Sequence, residues 1–170
     1  MNTPITSNAS TEPLPGHAVT SPALIRAVRL ARSAHLKLGL ALATQCAWMA
    51  GGRSHTTTKV HSLLSLPRAK LVQRFLRVAS RPRSNSSEWH PPWEVLAGQV
   101  VALDQQYQDL VGRLGSTTSP VNCYELIQWT LAAGGLAHDL VTGSADSQEF
   151  QQLYAESAQG LRVCYILHLV

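Results

Sequence analysis

The chain has 170 residues, 45% of them hydrophobic, with 14 Lys/Arg, 10 Asp/Glu and a formal charge of +4. That length suits one domain with tails or two small units, and the apolar content suffices for a core. No apolar run reaches the ~18 to 20 uncharged residues of a membrane span, and the first twenty residues lack the charged and apolar regions of a signal peptide.

The three cysteines, Cys46, Cys123 and Cys164, are widely spaced. They form no CxxC or Cys/His cluster, so no metal and no cofactor are assigned, and reduced thiols in a cytosolic setting are expected. The modest net charge hides a strong asymmetry. Residues 1–87 hold twelve Lys/Arg and a single acid, Glu12, whereas residues 88–170 hold nine acids and two arginines. Such a split suggests two functional regions that attract each other.

Residues 1–20 are rich in Thr, Ser, Asn and Pro and read as a disordered tail. Their composition resembles the N-terminal export signals of type III secretion substrates. Ser21-Pro22 is a helix start, with Ser as cap and Pro at the first helical position. This helix is expected to run to Ala50 and stop at Gly51-Gly52. Its first half carries Arg26, Arg29, Arg32 and Lys37; its second half, "LGLALATQCAWMAGG", is almost wholly apolar. The connector "GGRSHTTTKVHS" suggests a short strand at its Thr run. A second helix follows Ser65-Leu66-Pro67. Leu71, Val72, Phe75, Leu76 and Ala79 form its apolar stripe, and Lys70, Arg74, Arg77 and Arg81 its basic face.

Residues 84–92 read as a linker between a basic helical region, 21–83, and an acidic region, 93–170. The next helix opens near Pro92. Trp93, Leu96, Val100, Leu103, Tyr107, Leu110 and Leu114 repeat at alternating three- and four-residue intervals. Ser119-Pro120 predicts the start of a further helix, with Tyr124, Ile127 and Leu131 on one face and Gly134-Gly135 as its interruption or end. Asp146 and Glu149 fit a capping box for a last helix, closed by Gly160. "LRVCYILHLV", from Leu161 to Val170, reads as a buried strand.

Cys123 falls in a predicted first helical turn, where unpaired backbone N–H groups and the helix dipole favour thiolate over thiol. His168, on the predicted final strand, is a candidate base. The segment "NCYELIQW…GGL" resembles the nucleophile segment of NlpC-like papain-fold cysteine hydrolases, including toxin and effector domains. The resemblance covers roughly residues 119–170. It implies Cys123 as nucleophile and His168, 45 residues later, as base. It further implies cleavage of peptide, amide or acyl bonds. A third polar residue would orient the His, with Asn122, Asp139 and Asp146 as candidates.

The fold expected is mainly α, about five helices with one or two short strands near the C-terminus, or a minimal or truncated α+β papain-like unit. Two functions follow. One is a secreted bacterial effector or toxin-like thiol hydrolase using Cys123, His168 and Asn122 on a peptide or amide substrate. The other is a non-enzymatic helical binding protein. Its basic face of Lys70, Arg74, Arg77, Arg81 and Arg83 would meet a polyanion, whether nucleic acid or anionic lipid, or an acidic protein surface. The expected location is the cytoplasm, or outside the cell by a type III-like route.

Overall fold

A computed structural model describes residues 21–51, 56–80, 93–142 and 148–168, with side chains as far as residue 161. These residues form six helices: α1 (Pro22–Ala50), α2 (Thr57–Leu64), α3 (Arg68–Ala79), α4 (Trp93–Gly112), α5 (Cys123–Thr142) and α6 (Gln148–His168). There is no strand among the described residues.

α1 begins where its sequence dictates. The Leu24 N–H donates to the Ser21 hydroxyl oxygen at 3.1 Å, and Pro22 fills the position that needs no donor. At its other end Gly51 adopts φ +71° and its N–H returns to the Trp48 carbonyl, a left-handed φ that favours glycine.

Between those ends α1 is the centre of the molecule. All five other helices pack on it, and around it they neighbour one another in the order α5, α4, α3, α2, α6. Every residue from Leu38 to Ala47 is buried. A helix apolar on all sides requires such surroundings. Its many small residues, Ala27, Ala31, Ala34, Gly39, Ala41, Ala43 and Ala47, let neighbouring helices approach closely. The two polar members of the run stay satisfied: the Thr44 hydroxyl donates to the Leu40 carbonyl at 2.7 Å, and Gln45 Nε2 donates to the Leu140 carbonyl on α5.

Paired residues give the helix directions. His35 lies beside Trp129 and Gln45 reaches Leu140, so α1 and α5 run parallel. Trp129 Nε1 donates to the Leu103 carbonyl and Arg113 reaches Glu125, so α4 runs antiparallel to α5. Trp48 meets Phe150 near the start of α6, edge to face at 6.0 Å. The seam of α4 faces inward, with Val100 and Leu110 buried and Trp93, Leu96, Leu103, Tyr107 and Leu114 packed against the core.

Several expectations change. The Thr run is not a strand. Thr56 caps α2 instead, its hydroxyl oxygen accepting the Lys59 N–H at 3.2 Å, and Val60 and Leu63 bury that helix. α5 starts three residues after Pro120, because Asn122 and not Ser119 supplies the cap. The Ser119 N–H is taken by the Ser116 hydroxyl. Gly134-Gly135 does not end α5, which continues to Thr142; Leu136, Ala137 and Leu140 beyond it are buried against the core. Two exposed glycines inside a helix cost about 1 kcal/mol each relative to alanine. Nothing in the chain lies within 4 Å of the place a Cβ would occupy at either one.

Nor does Gly160 close α6, and Leu161 to His168 are helical rather than a strand. The reason is packing: a Cβ at Gly160 would lie 2.8 Å from the His61 ring. His61 Nε2, from α2, donates to the Ser157 carbonyl at 3.0 Å. The glycine marks close approach of two helices, not a stop. Residues 1–20, the linker 84–92, Asp146 and residues 169–170 lie outside the described residues.

Leu42, fully buried on α1, and Leu30, 57% exposed on the same helix, should respond oppositely to truncation. Leu42→Ala is expected to lower unfolding free energy by about 2 to 5 kcal/mol. Leu30→Ala should stay within about 0.5 kcal/mol. Urea titration followed by circular dichroism measures both.

Candidate functional site

Three places in the fold gather chemistry. The first is the cationic surface. On α3, Leu71, Val72, Phe75 and Val78 are buried, which turns Lys70, Arg74 and Arg77 outward together at one-turn spacing. On α1, Ala27, Ala31 and Ala34 face the core, which leaves Arg26, Arg29, Arg32 and Lys37 exposed. No carboxylate occurs on α1, α2 or α3. None of these seven cations makes an ion pair among the described residues; the acids are otherwise engaged or lie on other helices. Arg81 and Arg83, expected to extend the α3 face, lie outside the described residues.

The second place is the start of α5. Asn122 is its cap: its Oδ1 accepts the Glu125 N–H at 2.9 Å, while Glu125 Oε2 accepts the Asn122 N–H at 3.1 Å. This reciprocal pair is a capping box. Arg113, at the end of α4, locks it by donating from Nη2 to Glu125 Oε1 at 2.9 Å and from Nε to Asp109 Oδ2 at 3.0 Å. The guanidinium, with help from the Asn122 N–H, holds the Glu125 carboxyl below the usual carboxylate range. Cys123 is the first residue of the helix and half-buried. The side chain of Asn122, expected as a catalytic partner, is occupied with capping. His168 is the last residue of α6, and its side chain lies outside the described ones. Asp139 and His138 are exposed on α5.

The third place carries no sequence signal. Arg68 opens α3 and lays its guanidinium over Gly39 of α1, where a Cβ would sit 2.7 Å from two of its nitrogens. Arg68 Nη2 donates to the His35 carbonyl at 3.2 Å and lies 3.3 Å from His35 Nε2. The same His35 nitrogen lies 3.3 Å from Asp104 Oδ1 on α4. A proton on Nε2 satisfies the carboxylate, and Arg68 then bonds the carbonyl. The imidazole stacks on Tyr107 at 3.9 Å, and Tyr107 leans on Trp129 at 4.9 Å. Arg68 Nη1 is buried without a hydrogen-bond partner. Burial pulls the Arg68 and His35 pKa values down; the Arg68 charge lowers His35 further, and Asp104 opposes both shifts. Three helices, contributing residues 33 and 69 positions apart, converge here. Their distance along the chain is why sequence inspection misses them.

Open grooves of about 680 and 540 Å³ run along α4–α5 and α3–α4. Cys123 lines neither. No cluster of three or more metal-ligating side chains occurs among the described residues, and none of their helices is long and apolar enough to cross a membrane. No family model, no curated protein and no solved structure matches the chain.

Folding lowers the His35 pKa below its ordinary 6.5. On acidification the unfolded chain therefore takes up this proton first. The stability contributed by neutral His35 is complete above the unfolded value and is lost as pH falls toward the folded one. Wild type should accordingly lose more stability than His35→Gln between about pH 7 and 5. Equal losses in urea titrations at the two pH values would assign the proton elsewhere.

Proposed function

We propose that the protein is a non-enzymatic helical binding module that docks on a phosphate-bearing polyanion. One observation carries this reading: seven exposed cations, with no ion pair among the described residues, stand on α1 and α3, helices that hold no carboxylate. A surface of this kind attracts phosphates chiefly by releasing their counterions. Exposed aromatic side chains, which a single-strand binder uses as stacking platforms, are not found on α1 or α3. The contact is therefore with backbone or headgroup phosphates and reads no sequence.

Binding to a labelled DNA duplex and to phosphatidylserine vesicles should weaken steeply between about 50 and 200 mM salt. Replacing Lys70, Arg74 and Arg77 together by Ala should flatten the log–log salt slope on duplex by about 2 to 3. A slope unchanged by the triple replacement, or no binding to either probe at low salt, sinks the reading. Whichever probe is bound identifies the class of polyanion.

A second reading keeps Cys123 as the nucleophile of a thiol hydrolase, with His168 as base. What favours it is the place of Cys123 at the first position of a 20-residue helix, half-buried rather than enclosed. Backbone N–H groups at such a start can stabilise an oxyanion. This reading expects iodoacetamide to label Cys123 much faster than the buried Cys46, and the rate to fall several-fold in His168→Ala. Mass spectrometry of the labelled peptides reads both, and an unchanged rate in the variant removes His168 as base.

A further inference from the structure

The first turn of α3 is held differently from those of its neighbours. α1, α2 and α5 begin on a side-chain cap. α3 begins at Pro67, which offers no capping hydrogen bond, and no acidic side chain follows in its first turn. Ala69 and Lys70 face solvent. Beside Leu71, which is buried, what ties this turn to α1 is Arg68. Its guanidinium lies 2.7 Å from the place a Cβ would occupy at Gly39 and donates to the His35 carbonyl at 3.2 Å.

His35 sits between that guanidinium and a carboxylate. Its Nε2 lies 3.3 Å from Arg68 Nη2 and 3.3 Å from Asp104 Oδ1. From α3 it faces Arg68; from α4, Asp104 and the Tyr107 ring stacked on it; from α5, the uncharged ring of Trp129. Arg32 and Lys37, before and after it in α1, are exposed. With His35 neutral, the cluster holds one cation and one anion. A proton on Nδ1 adds a second cation, and Asp104 must then serve imidazolium and guanidinium together. Arg68 is the less firmly held of the two. Its Nη1 is buried without a hydrogen-bond partner, and the side chain is only half-buried, so turning outward returns the charge to water. His35 is fixed by its stack on Tyr107.

We propose that His35 is an acid-operated latch on α3: when its imidazole is protonated, the Arg68 guanidinium leaves Gly39 and the first turn of α3 comes away from α1. The sign follows from linkage. Burial, and then the Arg68 charge, hold the folded His35 pKa below its ordinary 6.5, with Asp104 opposing. Once Arg68 has left, Asp104 remains and the proton is held more tightly. Latching is therefore strongest with His35 neutral, and it is lost as pH falls below 6.5 toward the folded value. The released turn carries Lys70, so acid also alters the cationic face; that consequence alone rests on the polyanion reading, and the latch does not.

Amide hydrogen exchange of the full chain, read residue by residue by NMR and corrected for intrinsic rates, tests this without any ligand. Leu71 and Val72 should exchange faster than Leu136 on α5 and be nearly insensitive to low urea, the mark of a local opening. Between about pH 7.5 and 5 their protection should fall about tenfold in the wild type, in step with the titration of the His35 ring. His35→Gln should remove that pH dependence. Arg68→Met keeps an unbranched side chain over Gly39 without the charge, and should raise the His35 midpoint by about one unit or more, because Asp104 is left as its charged neighbour. Three outcomes overturn the proposal: Leu71 opening only together with Leu136, protection at Leu71 that stays constant on acidification, or a fall as large in His35→Gln as in the wild type. A His35 midpoint unmoved by Arg68→Met does so as well. The first two are read on the wild type, so they stand even where a variant does not fold.

Discussion

Ten consecutive residues of α1, Leu38 to Ala47, have no solvent to face, and that constraint places every other helix. A buried helix must be covered on all sides, so five amphipathic helices gather round it, each contributing one apolar face. α5 covers the longest stretch, because its 20 residues run parallel to α1 and meet it from Trp129 to Leu140. The alanine-rich surface of α1 makes this efficient: small side chains bring helix axes close, and close packing lets leucine and phenylalanine side chains from the outer helices fill the remaining space.

A helix buried this fully has few polar anchors to fix its rotation and register. Gln45 binding the Leu140 carbonyl is one. The Arg68–His35–Asp104 group is another, tying α1, α3 and α4 at one point. A half-buried arginine is a poor source of net stability, because desolvation offsets most of the attraction to a nearby carboxylate. Its geometric demands are strict, however. Gly39 must be side-chain-free, the His35 carbonyl must be in reach, and the imidazole must lie flat on Tyr107. Together these contacts restrict how the three helices can shift past one another.

Charge and apolar surface are segregated outside that core. The cations stand on the exposed sides of α1 and α3, and the carboxylates on α4, α5 and α6. Arg113, one of the two arginines in the acidic half, is consumed in bracing the α5 cap against Asp109. The exposed arginines of α1 and α3, Arg26, Arg29, Arg32, Arg74 and Arg77, make no ion pair among the described residues, which leaves their charge available to something outside the chain. The exposed apolar side chains of α5, Tyr124, Ile127 and Leu131, form a separate surface with a separate chemistry.

Three helices were legible in the sequence: α1 from the Ser21-Pro22 cap, and α3 and α4 from their apolar periods. The outward face of Lys70, Arg74 and Arg77 was legible too, because helical spacing alone sets which side chains lie together. Glycine misled. Gly51 ends a helix with a left-handed φ of +71°, but Gly134 and Gly160 lie inside helices, the first with open space where a Cβ would sit and the second with the His61 ring there. The apolar run after Leu161 misled for a related reason. A short hydrophobic segment suits strand or helix equally, and continuity with the α6 helix before it decides. The His35 cluster depends on residues far apart in the chain and cannot be found by local pattern. Sequence by itself determined where α1 starts and which faces of α3 and α4 are apolar, since those follow from a backbone cap and a fixed periodicity. Tertiary structure alone decided that α1 lies at the centre, that Tyr124, Ile127 and Leu131 are exposed, and that the Arg68 guanidinium is half-buried over Gly39, since burial is a property of what the rest of the chain places nearby.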